Sequence, residues 1–162
     1  MNNIIEKLSS YNFFNYLLPG IVFSITLSKI TSYNIIVENL FLGFFVYYFI
    51  GLVISRFGSL IIEPFLKSVK FLKFTNYKDF SDAEKSDLKI NILSESNNMY
   101  RTLTSMLLMI IIFKGYDKLS ESYTFFNDHG SNFLLLILLA IFLFAYRKQT
   151  RYITKRIKNT KS

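Results

Sequence analysis

Residues 40–62 read LFLGFFVYYFIGLVISRFGSLII, 23 residues with one charge, Arg56. At ~1.5 Å per residue, a helix of that length covers the ~30 Å hydrocarbon core of a bilayer. Such a run leaves the chain little choice. In lipid the backbone must satisfy its own polar groups, and within one segment only a helix does so. Gly43, Gly51, Ser55 and Ser59 recur at multiples of four along it, with Gly58 beside them. Small residues so spaced let a second helix approach closely. They predict helix packing, including self-association through Gly51, Ser55 and Ser59. Pro64 follows and predicts the end of the span.

Three more apolar blocks of similar character lie in the 162 residues, at about 13–33, 99–116 and 132–146. The chain therefore reads as a single all-α membrane domain with four transmembrane helices. Pro19-Gly20 interrupts the first block and either starts that crossing or kinks it. Residues 2–18 read as a short interfacial helix, with Phe13, Phe14 and Tyr16 at headgroup level. Residues 63–98 form a polar hairpin. Within it Ser81 and Glu84 fit a capping box. From there to Phe113 no Pro or Gly occurs, which predicts one helix of more than 30 residues, a cytosolic extension of the third crossing. Asn98, Thr102, Ser105 and Met109 share one side of it and suit the small face of the second crossing. Residues 114–131 read as an outer connection, and 147–162 as a basic tail.

The net charge of +8 is unevenly spread. With both ends in the cytoplasm, sixteen of the nineteen Lys and Arg residues fall inside and three outside, Lys29, Lys114 and Lys118. That asymmetry predicts cytoplasmic N- and C-termini in a bacterial inner membrane. Lys67, Lys70 and Lys73, interleaved with apolar residues, suit an anionic leaflet, as do Arg147, Lys148, Arg151, Lys155 and Arg156. A basic tail after a last span is a topology signal before it is a nucleic-acid site, so anionic lipid is the expected partner. The chain has no Cys, which excludes disulfides and thiolate metal sites. The N-terminus has Glu6 and Lys7 and no secretory-signal pattern.

Arg56 is the one charge within its span, and such a residue costs ~2.5–3.5 kcal/mol on insertion scales. Its candidate partners are Glu63, Glu95 and Asn98, and Arg101 can answer Glu63 in the same way. Together they predict a polar cluster at the inner membrane edge. The alternative is that Arg56 snorkels to inner phosphates. His129 is the sole His and lacks the co-ligands of a zinc site. Asp79, Asp82, Glu84 and Asp87 lack EF-hand spacing and read as a solvated helix face. No phosphate loop, metalloprotease motif or nucleophile elbow is present, so no catalytic residue, metal or cofactor is expected.

The blocks NYLLPGIVF (15–23), GLVISRFGSLIIEP (51–64) and LSESNNMYRT (93–102) resemble small multi-span proteins of bacterial phage-defence islands, the Kiwa-type membrane subunit among them. The resemblance implies an oligomeric, non-enzymatic inner-membrane sensor or effector working with a cytosolic partner. Two other functions fit the same residues: a small oligomeric channel, and a passive membrane anchor for a cytosolic partner.

Overall fold

A computed structural model describes residues 11–161, with the side chains of Leu88 and of 159–161 left aside. Every regular element among the described residues is a helix. Three of them are long and apolar enough to cross a membrane: α1, Phe13–Ile30; α2, Leu40–Ser68; and α5, of which Thr124–Lys158 qualifies. Helix α3 is short, Tyr77–Ser86. Helix α4 runs Leu88–Ser122 and α5 runs Thr124–Lys161, with only Tyr123 between them. At ~1.5 Å per residue both exceed 50 Å.

The two prolines neither start nor stop a helix. Residues Phe13–Leu17 and Gly58–Ile62 form π-turns, each ending two residues before a Pro, Pro19 and Pro64. A π-turn closes i→i+5 and so takes in about one extra residue. The widened turn makes room for the proline ring, which in a regular helix would strike the preceding turn. Helix α1 therefore continues through Pro19 to Ile30, with Thr31 as its C-cap, short of the expected Tyr33. Helix α2 passes the expected stop at Pro64 and ends at Ser68. Lys70 closes it with φ 60°. The Lys70 N–H bonds the Lys67 carbonyl at 3.1 Å and the Phe71 N–H bonds the Leu66 carbonyl at 3.0 Å. That pattern is a Schellman cap, with Lys in the left-handed place glycine usually takes.

The expected capping box is not used. Ser81 lies inside α3, whose N-cap is Asn76, accepting from Asp79 N–H at 2.9 Å. The long helix starts later, at Leu88, capped by Asp87, which accepts from Lys89 N–H at 2.9 Å. Asn and Asp are strong N-caps and Asp87 is poor within a helix, so one predicted helix becomes two. Helix α4 then passes Gly115 without interruption, and the expected outer connection at 114–131 is helical apart from Tyr123.

Two glycines set the α1–α2 crossing. A Cβ on Gly20 would overlap the Tyr47 carbonyl of α2, and one on Gly51 would overlap the Tyr16 carbonyl of α1. Backbone meets backbone there, the close approach that small residues permit. Beside it a cluster of Phe23, Leu27, Ile54, Met106 and Ile110 joins α1, α2 and α4. Phe23 meets Phe113 edge-on at 5.8 Å. Helix α5 lies outside this trio, held by a Phe49–Phe142 stack at 5.9 Å and by the charged cluster described next.

Candidate functional site: a polar clamp around Glu63

The π-turn at Gly58–Ile62 decides which side chains face inward. In a regular helix residue 56 would align with residue 63, seven along. With about one extra residue in the turn, the alignment moves to eight, so Ser55 and Glu63 share a face with Ser59 between them. All three are buried, at 3%, 8% and 8% exposure for Ser55, Ser59 and Glu63. Arg56 is rotated off that face and makes no hydrogen bond or ion pair among the described residues.

Glu63 gathers three cations from three helices. Its Oε1 accepts from Lys67 Nζ at 2.8 Å, one turn along α2. Its Oε2 accepts from Arg101 Nη1 at 2.7 Å, from α4. Lys148 Nζ of α5 stands 3.9 Å from Oε1. Lys148 also donates to the Ser59 carbonyl at 2.6 Å and to Ser59 Oγ at 2.7 Å. That carbonyl needs an outside donor. In a π-turn its partner would be the N–H of residue 64, and Pro64 has none. One carboxylate and one orphaned carbonyl thus tie α2, α4 and α5 together.

Deeper in the bundle is a neutral polar layer. Thr102 Oγ1 lies 2.9 Å from Asn15 Oδ1, 3.2 Å from Ser55 Oγ and 2.9 Å from the Asn98 carbonyl. A hydroxyl has one proton to give, so Thr102 donates to one of these three acceptors at a time. Asn15 and Thr102 are 1% and 0% exposed. Asn15 Nδ2 has no partner among the described residues. A Cβ on Gly58 would overlap Ser105 Oγ, so α4 packs directly on the small face of α2.

The predicted residues therefore divide. Glu63 and Arg101 meet as expected. Asn98 joins through its carbonyl, while Glu95 is half-buried in the first part of α4 and forms no ion pair among the described residues. Arg56 does not join; Lys67 and Lys148, expected to face lipid, take its place. Gly51, Ser55 and Ser59 are all used within the chain, against Tyr16, Thr102 and Lys148. Gly43 packs on Val37. The face expected to bind a second copy is thus covered by the chain itself. Lys70, Lys73, Arg147, Arg151, Lys155 and Arg156 are exposed. Phe65, Val69 and Phe71 are exposed beside the first two, in keeping with a strip suited to a membrane surface.

Two partners were not anticipated. Asn15 lies in what read as an interfacial segment, and nothing in its neighbourhood marks it. Asp117 is 7% exposed at the other end of the bundle. It accepts from Ser32 N–H at 3.1 Å and from Ser32 Oγ, so it latches the α1–α2 connection to α4. His129 stacks edge-on to Phe125 at 4.9 Å. No group of three or more potential metal ligands is gathered among the described residues.

An ionised carboxylate held by three cations is an acceptor only. The arrangement binds and orients helices. No protein family, curated protein or solved structure matches this chain.

Proposed function

We propose that this chain is a multi-pass protein of the bacterial inner membrane. It crosses the bilayer four times, with both termini cytoplasmic, and acts by binding rather than by catalysis. The observation that carries this reading is the packing of α4. Its inward side sets Thr102 and Ser105, both fully buried, beside the core residues Met106 and Ile110. Its outward side is apolar, with Leu107, Ile111 and Ile112 exposed at 58%, 66% and 54%. Small polar residues between the helices and large apolar ones facing outward suit lipid as the solvent. Helix α4 also shares a core with α1 and α2, so it belongs at their depth. It then forms the fourth crossing, with the Glu63 clamp at the inner membrane edge and Asp117 at the outer. The excess of Lys and Arg at the Glu63 end supports cytoplasmic termini.

The role we propose is that of a membrane sensor or effector in an anti-phage defence assembly, with α3 and the basic strip presented to a cytosolic partner. It rests on the likeness of residues 15–23, 51–64 and 93–102 to membrane proteins of defence islands. Any association between copies would use the outer faces of α2 and α5, since the small face of α2 is filled. Plating of a phage panel on cells carrying the gene and its neighbours tests the role. Reduced plaquing, lost on disruption of the Glu63 clamp, is expected. Unchanged plaquing for every phage would reject it. Sustained ion flux through proteoliposomes of the purified chain would favour a channel instead.

A further inference from the structure

Between α2 and α5 runs a groove of about 730 Å³. Its walls change character along its length. One part is apolar, formed by Leu60 and Ile61 of α2 and Ile137, Ile141 and Phe144 of α5. The adjoining part carries Lys67, Lys148, Arg151 and Lys155. The α5 residues recur at steps of three and four, so one face of one helix is greasy along one stretch and cationic along the next.

Among the described residues, only one carboxylate lines the groove, Glu63. It is already engaged by Lys67 and Arg101. Arg151 and Lys155 have no carboxylate partner among the described residues and are exposed. Four cations facing one committed anion call for further negative charge. Ile141 is 7% exposed at the floor of the apolar part, while Ile61, Ile137 and Phe144, at 49%, 55% and 56%, leave its sides open to an acyl chain.

We propose that this groove binds an anionic glycerophospholipid, its phosphate held by Lys148, Arg151 and Lys155 and an acyl chain lying along Ile137, Ile141 and Phe144. Charge complementarity selects the headgroup, as in basic pockets between helices at the cytoplasmic side of other membranes. The apolar continuation selects a lipid over a soluble phosphate. The lipid would then brace α5 against α2 where Lys148 already ties them. This inference rests on the membrane placement above.

The chain has no Trp, so a single introduced indole reports local lipid. Phe144→Trp places it in the groove. Leu139→Trp places it on a position that does not line the groove and is 57% exposed. Each full-length variant is reconstituted in phosphatidylcholine vesicles containing a minor share of brominated phosphatidylglycerol or of brominated phosphatidylcholine. Stronger quenching by the anionic lipid is expected at position 144 and equal quenching at 139. Adding Arg151→Gln and Lys155→Gln should reduce the preference about fivefold for each charge. Equal quenching by the two lipids at 144, or a preference insensitive to both substitutions, would overturn the proposal. So would no quenching at 144 with normal quenching at 139, which would mean a protein segment fills the groove. No quenching at either position would instead remove the membrane placement, and the lipid site with it.

Discussion

Lys148 donates to the Ser59 carbonyl at 2.6 Å, across 89 residues of sequence. The bond exists because Pro64 cannot supply the N–H that a π-turn would send there. A proline in α2 thus creates the acceptor by which α5 is attached.

Lys148→Met keeps the aliphatic stem and removes the charge. It should destabilise the purified protein in detergent by about 1.5–3 kcal/mol, the usual worth of hydrogen bonds to a charged group. Ser59→Ala should cost less than about 1 kcal/mol, since the carbonyl bond survives and membrane side-chain hydrogen bonds average ~0.6. Unfolding curves of the two variants check the order. Equal losses would mean the hydroxyl, not the carbonyl, holds Lys148.

Glu63 and Arg56 make a second contrast. Glu63→Gln leaves Arg101 and Lys148 facing each other without a counter-charge. Removing one partner of a buried pair costs about 3–5 kcal/mol, and the partly exposed Arg101 puts this one near the lower end. Arg56→Leu breaks no bond among the described residues and should fall within about 0.5 kcal/mol of the parent. Comparison of thermal midpoints in one detergent checks both. A larger loss for Arg56→Leu would restore Arg56 to the cluster.

The helix crossing gives a third test. Gly51→Ala forces a methyl into the Tyr16 carbonyl, so α1 must move away from α2. Loss of the folded protein, or at least about 2–3 kcal/mol, is expected from overpacking. Gly115→Ala has open space around its Cβ and should stabilise α4 by about 0.5–1 kcal/mol. Yield of monodisperse protein, then unfolding, reads the difference.

At the other end, Asp117→Ala leaves the Ser32 amide and hydroxyl without their acceptor. A cost of about 1–3 kcal/mol follows. In a double-mutant cycle Asp117→Ala and Ser32→Ala should couple by more than about 0.5 kcal/mol, as contacting residues do. Additive losses would count against the latch.

Much of this arrangement is legible from residue spacing, and the failures have physical causes. Three apolar stretches appear as helices able to cross a membrane, and the polar-small side of α4 does pack on the small face of α2. Glu63 stands four residues beyond Ser59 and eight beyond Ser55, so the same count of four that exposed the small face leads to it. The seven-residue spacing to Arg56 misleads because the count assumes an unbroken α-helix. Pro64 reads as a boundary and Pro19 as either a start or a kink, yet a π-turn ending two residues upstream absorbs each, and no local residue pattern announces that turn. Ser81 and Glu84 fit a cap, but Asn76 and Asp87 compete for the same role. Asp117 sits among Lys114, Lys118 and Glu121, which makes it look solvated. Its burial depends on Ser32, 85 residues away.

The most direct test concerns how many times the chain crosses. Because it has no native Cys, single cysteines can be placed at will and probed with a membrane-impermeant maleimide on intact spheroplasts. Four crossings with cytoplasmic termini predict labelling of Asn34→Cys and Asp128→Cys. They predict protection of Lys73→Cys and Lys158→Cys until the cells are lysed. Labelling of Lys158→Cys in intact spheroplasts, with Lys73→Cys protected, would mean that α4 does not cross, and would contradict the account.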